Sequence, residues 1–253
     1  MVAINPQLIP RLKSLRLSGI LETLDVRNRQ AIEDKISYVE FLERLLEDEA
    51  ERRAQKQLEM RMRRASFCAD KSLEKFDWSF NPSINRQQAL DLATCRWIER
   101  KEVVLIVGPS GVGKSHVAQA LGQEACRRGY NVLFTSVSKM LSHIHGGRAD
   151  GTHGRRLAGY IRPELLILDD FGLKALRGCE QEDLYEVINE RYERSSLMLT
   201  SNRDYQEWPE VFADNPLLAS AALDRLAHRA HLITITGASY RASQKPVKNG
   251  KNE

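Results

Sequence analysis

The run Val103-Val104-Leu105-Ile106-Val107-Gly108-Pro109-Ser110-Gly111-Val112-Gly113-Lys114-Ser115-His116 constrains this chain more than any other. Five apolar, mostly β-branched residues read as a buried strand, and a glycine-rich turn opens from it onto a helix-compatible run, Val117 to Arg128. In such a turn successive backbone N–H groups point inward. The new helix adds its free N–H groups and positive dipole end, so Gly108 to His116 forms a cradle for polyphosphate. The GxxxxGK[ST] spacing sends Lys114 to the β- and γ-phosphates and sets the Ser115 hydroxyl on Mg²⁺.

A chain of 253 residues holds one α/β domain of ordinary size and a smaller appendage. Apolar content of 42% and charged content of 28% fit a globular protein. No apolar run approaches the roughly 18 residues that span a bilayer, and the N-terminus, broken by Pro6 and Pro10, lacks the order of a signal peptide. The expected location is the cytoplasm, with no membrane partner. Cys68, Cys95, Cys126 and Cys179 stand singly, so they suggest neither a disulfide framework nor a zinc site and read as buried small apolar residues. A net charge of +4 permits nucleic-acid binding, and the distribution of charge has to decide it.

Residues 1–75 carry helical periodicity and no strand pattern. Leu8, Leu12 and Leu15 mark a first segment, and Ile20, Leu21 and Leu24 a second, with Ser18-Gly19 as the expected break. Ser37-Tyr38-Val39-Glu40 fits a capping box before a long helix that is expected to bury Tyr38, Phe41, Leu42, Leu45 and Leu46. Its second half, Glu47 to Arg64, is charged. Arg52, Arg53, Lys56, Arg61, Arg63 and Arg64 read either as a solvated face or as an edge that meets DNA or a partner. Leu73 to Pro82 reads as an extended linker, and Ser83 to Ile98 as one helix.

Val132-Leu133-Phe134 is a second buried strand. Ser138 to Arg156 follows, rich in glycine, with Lys139, Arg148, Arg155 and Arg156 against a single acid, Asp150. We read it as a flexible basic insertion that contacts DNA. His143, His145 and His153 lie in it, but no carboxylate or cysteine joins them at ligand spacing, which disfavours a metal site.

Leu165 to Asp170 is a third strand ending in two acids. Asp169 is positioned to hold the magnesium shell and Asp170 to orient or deprotonate the attacking water. Leu197 to Asn202 is a fourth strand, whose Asn202 amide is placed to reach the γ-phosphate or the water. Pro216 to Arg229 is helical, Leu232 to Ile235 is a fifth strand, and residues 243–253 read as a disordered basic tail.

These motifs, with Asp224-Arg225-Leu226 and Gly237-Ala238-Ser239-Tyr240-Arg241, resemble the IstB family of ATP-binding helper proteins from bacterial insertion sequences. The nearest relatives in kind are helicase loaders of the DnaC type and the initiator DnaA. The resemblance implies a three-layer α/β P-loop AAA+ ATPase domain over 76–242, with a parallel five-stranded sheet, preceded by a small all-helical N-terminal domain over 1–75. It implies ATP and Mg²⁺ as cofactors, Walker A at Gly108 to Ser115, Walker B at Asp169 and Asp170, and sensor 1 at Asn202. Arg225 is then the arginine finger given to a neighbouring subunit's ATP, with Arg191 and Arg229 as rivals and Arg241 as a candidate sensor 2. Asp170 stands where many AAA+ proteins have glutamate. The implied function is a regulator of transposition that assembles as a homo-oligomer on duplex DNA, selects or remodels the target and activates a cognate transposase. A replicative helicase loader is the alternative, and a metabolic P-loop kinase a more distant one.

Overall fold

The structure, a computed structural model, describes residues 7–68, 71–212 and 215–243, without the side chains of Arg241 and Ser243. The tail from residue 244 and the sensor role of the Arg241 side chain therefore lie outside what is described. The chain divides into two units, Met1–Met60 and Arg61–Glu253, upstream of the division at 75 expected from sequence.

Three helices dominate the first unit: α1 (Leu8–Ser14), α2 (Ser18–Asp34) and α3, which runs Tyr38–Ala65. The break before α2 falls at Arg16, in the left-handed region at φ 57°, so Ser18 and Gly19 open a helix rather than interrupt one. Leu17, the N-cap residue, offers α2 no capping side chain. Glu49 of α3 does so from across the hairpin, accepting from the N–H of Gly19 at 2.6 Å and of Ile20 at 3.3 Å. A carboxylate there meets both the unspent N–H groups and the positive end of the helix. The approach needs glycine at 19, where an added Cβ would stand 2.7 Å from the Glu49 Cα. Alongside, Arg27 grips Asp48 through paired bonds of 2.9 and 2.6 Å.

Leu12, Ile20, Leu24 and Leu45 form this unit's core, with Leu17, Leu21 and Phe41 packed against it. Phe41, Leu45 and Glu49, four residues apart, are thus the face of α3 that meets α2. Tyr38, Leu42 and Leu46 were expected inside but are 94%, 54% and 53% exposed, because they lie on other faces of α3. Ser37 caps α3 as expected, its Oγ accepting from the Glu40 N–H at 3.2 Å, while the Glu40 carboxylate turns to Arg44. Arg52 pairs with Glu22, and Arg53 with Glu49.

In the second unit the segment from Leu73 to Pro82 forms turns rather than an extended linker. Asp77 is the reason: its Oδ1 accepts from the Ser79 N–H and hydroxyl and the Phe80 N–H, closing an Asx turn. The single helix expected over 83–98 is two, α4 (Arg86–Ala93) and α5 (Arg96–Glu99), broken at Cys95, whose φ is 62°. There follow β1 (Val103–Val107), α6 (Lys114–Arg127), β2 (Val132–Ser136), α7 (Val137–Ala149), α8 (His153–Ile161), β3 (Leu165–Phe171) and α9 (Cys179–Arg191). The chain continues through β4 (Ser196–Ser201), a 3₁₀ helix (Tyr205–Phe212), α10 (Pro216–Ala227), β5 (Ala230–Thr234) and α11 (Tyr240–Ser243).

The five strands are all parallel, in the order β2-β3-β4-β1-β5. Strands buried on both faces need the near-continuous apolar runs that β1, β3 and β4 carry. Leu105, Val107, Leu166, Leu168, Leu197 and Leu199 face one core, shared with α7, α8, α9 and α10. On the other side α6 packs across the sheet, with α4 against α6. Layers of helix, sheet and helix result.

The stretch 138–156 is corrected from a flexible insertion to ordered structure. Ser136 caps α7 through the Lys139 N–H at 3.3 Å, and Gly147 lets α7 and α8 meet closely, since an added Cβ there would lie 2.8 Å from the His153 backbone. Cys95 and Cys126 are buried, which pushes both thiols up to about 11, but Cys68 is exposed and Cys179 half-buried. Among the described residues no helix is long and apolar enough to cross a membrane.

Glu49→Ala removes the acceptor of two buried N–H groups and should cost about 1–3 kcal/mol, read from urea unfolding followed by far-UV circular dichroism. Glu49→Gln keeps an oxygen and should cost less. Arg27 holds Asp48 down at about 2; for Glu49, burial pushes upward, but the bonds from Arg53, Gly19 and Ile20 outweigh it and the net direction is down. Stability from both acids is complete above the ordinary carboxylate range and is lost as pH falls below it, through the folded values. Glu49→Ala should therefore show a shallower loss of stability on acidification than the parent.

Candidate functional site

The glycine-rich turn joins β1 to α6 at the carboxyl end of the sheet and is held from both sides. At Gly108, φ 148°, a Cβ would lie 1.9 Å from the Ile235 carbonyl oxygen, and the Ile235 N–H donates to Val107 at 2.8 Å. At Gly111, φ 83°, a Cβ would meet the Ser239 Oγ at 2.0 Å, and the Tyr240 N–H donates to the Gly111 carbonyl at 3.0 Å. No other residue allows these approaches. Gly108, Pro109, Ser110, Gly111, Val112 and Gly113 thus form a fixed rim, and Ser110 to His116 line a cleft of about 760 Å³.

Lys114 is the first residue of α6 and is 6% exposed. Its Nζ donates to Asn202 Oδ1 at 2.5 Å and to the Pro109 carbonyl at 2.7 Å. Ser115 Oγ donates to Asp169 Oδ1 at 2.8 Å, and Thr200 Oγ1 donates to the same oxygen. The structure therefore gathers Lys114, Ser115, Asp169 and Asn202, from three different strands or their edges, as the sequence reading expected. Asp170 joins them through the backbone. Its N–H donates to Thr200 Oγ1 at 3.2 Å, its φ is +60°, and the β3–β4 register shifts between Leu168 and Phe171. Aspartate tolerates that left-handed conformation better than most residues, and the bulge leaves Asp170 exposed to the cleft.

Sequence reading missed the cleft's other wall. Phe76, Phe80, Asn81 and Tyr240 line it. The Phe76 ring stands edge-on to His116 with centroids 5.0 Å apart, and Phe80 stands edge-on to Tyr240 at 4.9 Å. Asn81 donates to the Val112 carbonyl at 3.4 Å and accepts from the Ser83 N–H at 3.3 Å, and the Ser83 Oγ donates to the Thr236 carbonyl at 2.6 Å. Alternating aromatics before Pro82 are the one signal the sequence offered, and they resemble a strand equally well. His116 Nε2 lies 3.1 Å from the Ser72 carbonyl; burial, and less strongly Lys71, push its pKa below the usual imidazole range despite that carbonyl.

Other candidates lie elsewhere. Arg225 lines a separate cavity with Val103 and Leu197, at the amino end of the sheet, so it does not reach its own chain's loop. Its guanidinium lies 5.5 Å from the Tyr185 ring and 5.7 Å from that of Tyr192, and Nη1 donates to the Ala221 carbonyl at 2.7 Å. Arg191 cannot serve as its rival: it is 1% exposed and donates to the carbonyls of Tyr160, Ile161, Pro163 and Ser196. Burial pushes it down to about 9, still charged at neutral pH. Arg229 is exposed.

Of the four basic candidates on α7 and α8, Arg148 donates to Asp183 at 2.5 Å, and Arg156 to Asp150 at 2.6 Å, Thr152 at 2.8 Å and the His143 carbonyl at 2.9 Å. Lys139 and Arg155 are exposed.

The sequence matches the family described as IstB-like ATP binding protein over residues 10–247. It is 43% identical over 243 residues to an ATP-binding protein in an insertion sequence of Mycobacterium tuberculosis, covering 96% of each chain. It is 37% identical to the insertion sequence IS21 ATP-binding protein of Pseudomonas aeruginosa, covering 94% of this chain and 88% of that one. The fold is similar to that of DnaI, with a TM-score of 0.58 at 22% identity over 66% of this chain and 92% of that one. It is also similar to the replication initiator DnaA bound to AMPPCP and single-stranded DNA, with a TM-score of 0.55 at 25% identity over 68% of this chain and 52% of that one.

Lys114→Ala takes away the one cation held between the loop and Asn202. Affinity for a fluorescent ATP analogue should fall at least about tenfold, the scale of one lost charge-assisted bond; an unchanged titration would place the phosphates elsewhere.

Proposed function

Because the chain belongs to the family of IstB-like ATP-binding proteins, we propose that it is an ATPase that assembles with further copies of itself on duplex DNA in transposition, selects or remodels the target there and activates a cognate transposase. One observation carries the hydrolytic half: Lys114 with Asn202, and Ser115 with Asp169 and Thr200, converge where the polyphosphate cradle ends. The donor set fits a magnesium nucleotide. A hydroxyl and a carboxylate 2.8 Å apart are hard oxygen ligands of the kind Mg²⁺ takes beside phosphate oxygens, and a bound Mg²⁺ would neutralise charge on the phosphates.

In this reading Ser115 and Asp169 would hold the ion, with Thr200 orienting the carboxylate. Lys114 would exchange its bonds to Pro109 and Asn202 for phosphate oxygens. Asn202, released from Lys114, positions the water, and Asp170 accepts its proton. Arg225, remote from its own loop, serves the ATP of a neighbouring copy.

The transposition setting is supported by relatives that span this chain almost end to end and carry insertion-sequence names. The likeness to DnaI is one of fold and covers 66% of it. Lys139 and Arg155 are the basic candidates on α7 and α8 left for DNA phosphates, with Arg148 and Arg156 holding the helices together.

Asp170→Asn keeps size and tolerance of positive φ while removing the base. ATP should bind normally and turn over about a hundredfold or more slowly in a phosphate-release assay. Duplex DNA should stimulate parental turnover more than single strands do; the reverse would favour a helicase loader. Arg225→Ala should bind ATP but hydrolyse it about a thousandfold more slowly. Mixed with Lys114→Ala it should regain activity, and a co-assembled mixture no faster than either variant would refute action between subunits. Neutralising Lys139 and Arg155 together should flatten the dependence of log affinity for duplex on log salt by about 0.9 per lost contact.

A further inference from the structure

α9 carries, on the face that meets α7 and α8, chemistry that the nucleotide site does not use. Asp183 is 1% exposed. Its Oδ1 receives Arg148 Nη2 at 2.5 Å and lies 2.9 Å from His153 Nε2. Its Oδ2 is buried with no hydrogen-bond partner. A buried carboxylate oxygen left without a donor is costly, so its persistence at the centre of a polar cluster points to a ligand. Glu186 completes the group: one nitrogen of His153 and one oxygen each of Asp183 and Glu186 lie within 4.8 Å of one another. Asp183 and Glu186 are three residues apart and so share a helix face. His153 is the first residue of α8, held there by the close packing of α8 on Gly147.

We propose that His153, Asp183 and Glu186 bind a divalent transition-metal ion of the zinc class, independently of the nucleotide. One imidazole nitrogen with two carboxylate oxygens is a borderline donor set, suited to zinc, whereas magnesium and calcium favour oxygen alone. Glu186 is exposed and free to swing in by the small distance that coordination requires. Three protein ligands leave a fourth position for water. Arg148 is the cation that neutralises Asp183 in this structure, and with its side chain 41% exposed it has room to leave. Metal and guanidinium therefore compete for one carboxylate, which separates a metal site from a purely structural ion pair. The sequence could not show this, because the carboxylates come from α9, far along the chain from the histidines of α7 and α8.

The test uses the untagged full chain, stripped with EDTA and free of nucleotide, titrated with Zn²⁺ against a chromophoric chelator. One equivalent should bind, and zinc should raise the thermal unfolding midpoint. Glu186→Gln alters an exposed residue and should unfold like the parent without zinc, yet bind it at least about tenfold more weakly, as should His153→Gln. Arg148→Gln should bind zinc more tightly than the parent. Absence of binding by the parent, or equal affinity in parent and Glu186→Gln, would overturn the proposal.

Discussion

A glycine-rich turn has few side chains with which to fix its own shape, so the packing around it must impose that shape. Here the imposition comes from residues far apart in the chain. Ile235 and Ser239 press on Gly108 and Gly111 so closely that no Cβ fits. Asn81 and Ser83 tie the far wall to Val112 and Thr236. The backbone of the cradle is therefore fixed by packing rather than by its own side chains, which leaves little backbone ordering to oppose phosphate binding.

Preorganisation extends to the acids. Asp169 accepts from Ser115 and Thr200 at one oxygen, and Thr200 in turn accepts from the Asp170 N–H. A single threonine on β4 thereby sets both carboxylates of β3, one toward the loop and one out into the cleft. The left-handed backbone at Asp170 is the local expense of turning two consecutive residues of a strand to different tasks. A regular strand would point one of them into the helical layer behind the sheet.

The convergence of the cleft's residues was legible because they sit at fixed distances from strand ends, and buried parallel strands announce themselves as apolar runs. Lys114, Ser115, Asp169 and Asn202 converge for that reason. What could not be read depended on tertiary partners. Leu73 to Pro82 has the alternation of a strand, but Asp77 offers Ser79 and Phe80 a turn instead, and the segment becomes a wall of the site. Tyr38, Leu42 and Leu46 have the spacing of a buried stripe, yet α2 meets α3 through Phe41 and Leu45. Periodicity shows that a helix has apolar faces and leaves open which of them is covered.

Charge was the least legible property, because an arginine's task depends on what lies within reach of its guanidinium. Arg148 and Arg156 read from sequence like Arg155, but Asp183 and Asp150 convert the first two into struts between α7, α8 and α9. Arg191 is consumed by backbone carbonyls that no sequence pattern marks. Arg225 differs from all of these. Two tyrosine rings flank it, its Nε is buried without a hydrogen-bond partner, and among the described residues no carboxylate pairs with it. Stacking orients a guanidinium without neutralising it. The side chain is thus already ordered and partly desolvated, with donor capacity unspent. Such a group gains more from an arriving phosphate than a mobile surface arginine does, and this is the physical reason Arg225 is proposed, ahead of the buried Arg191, to serve a neighbouring copy's nucleotide.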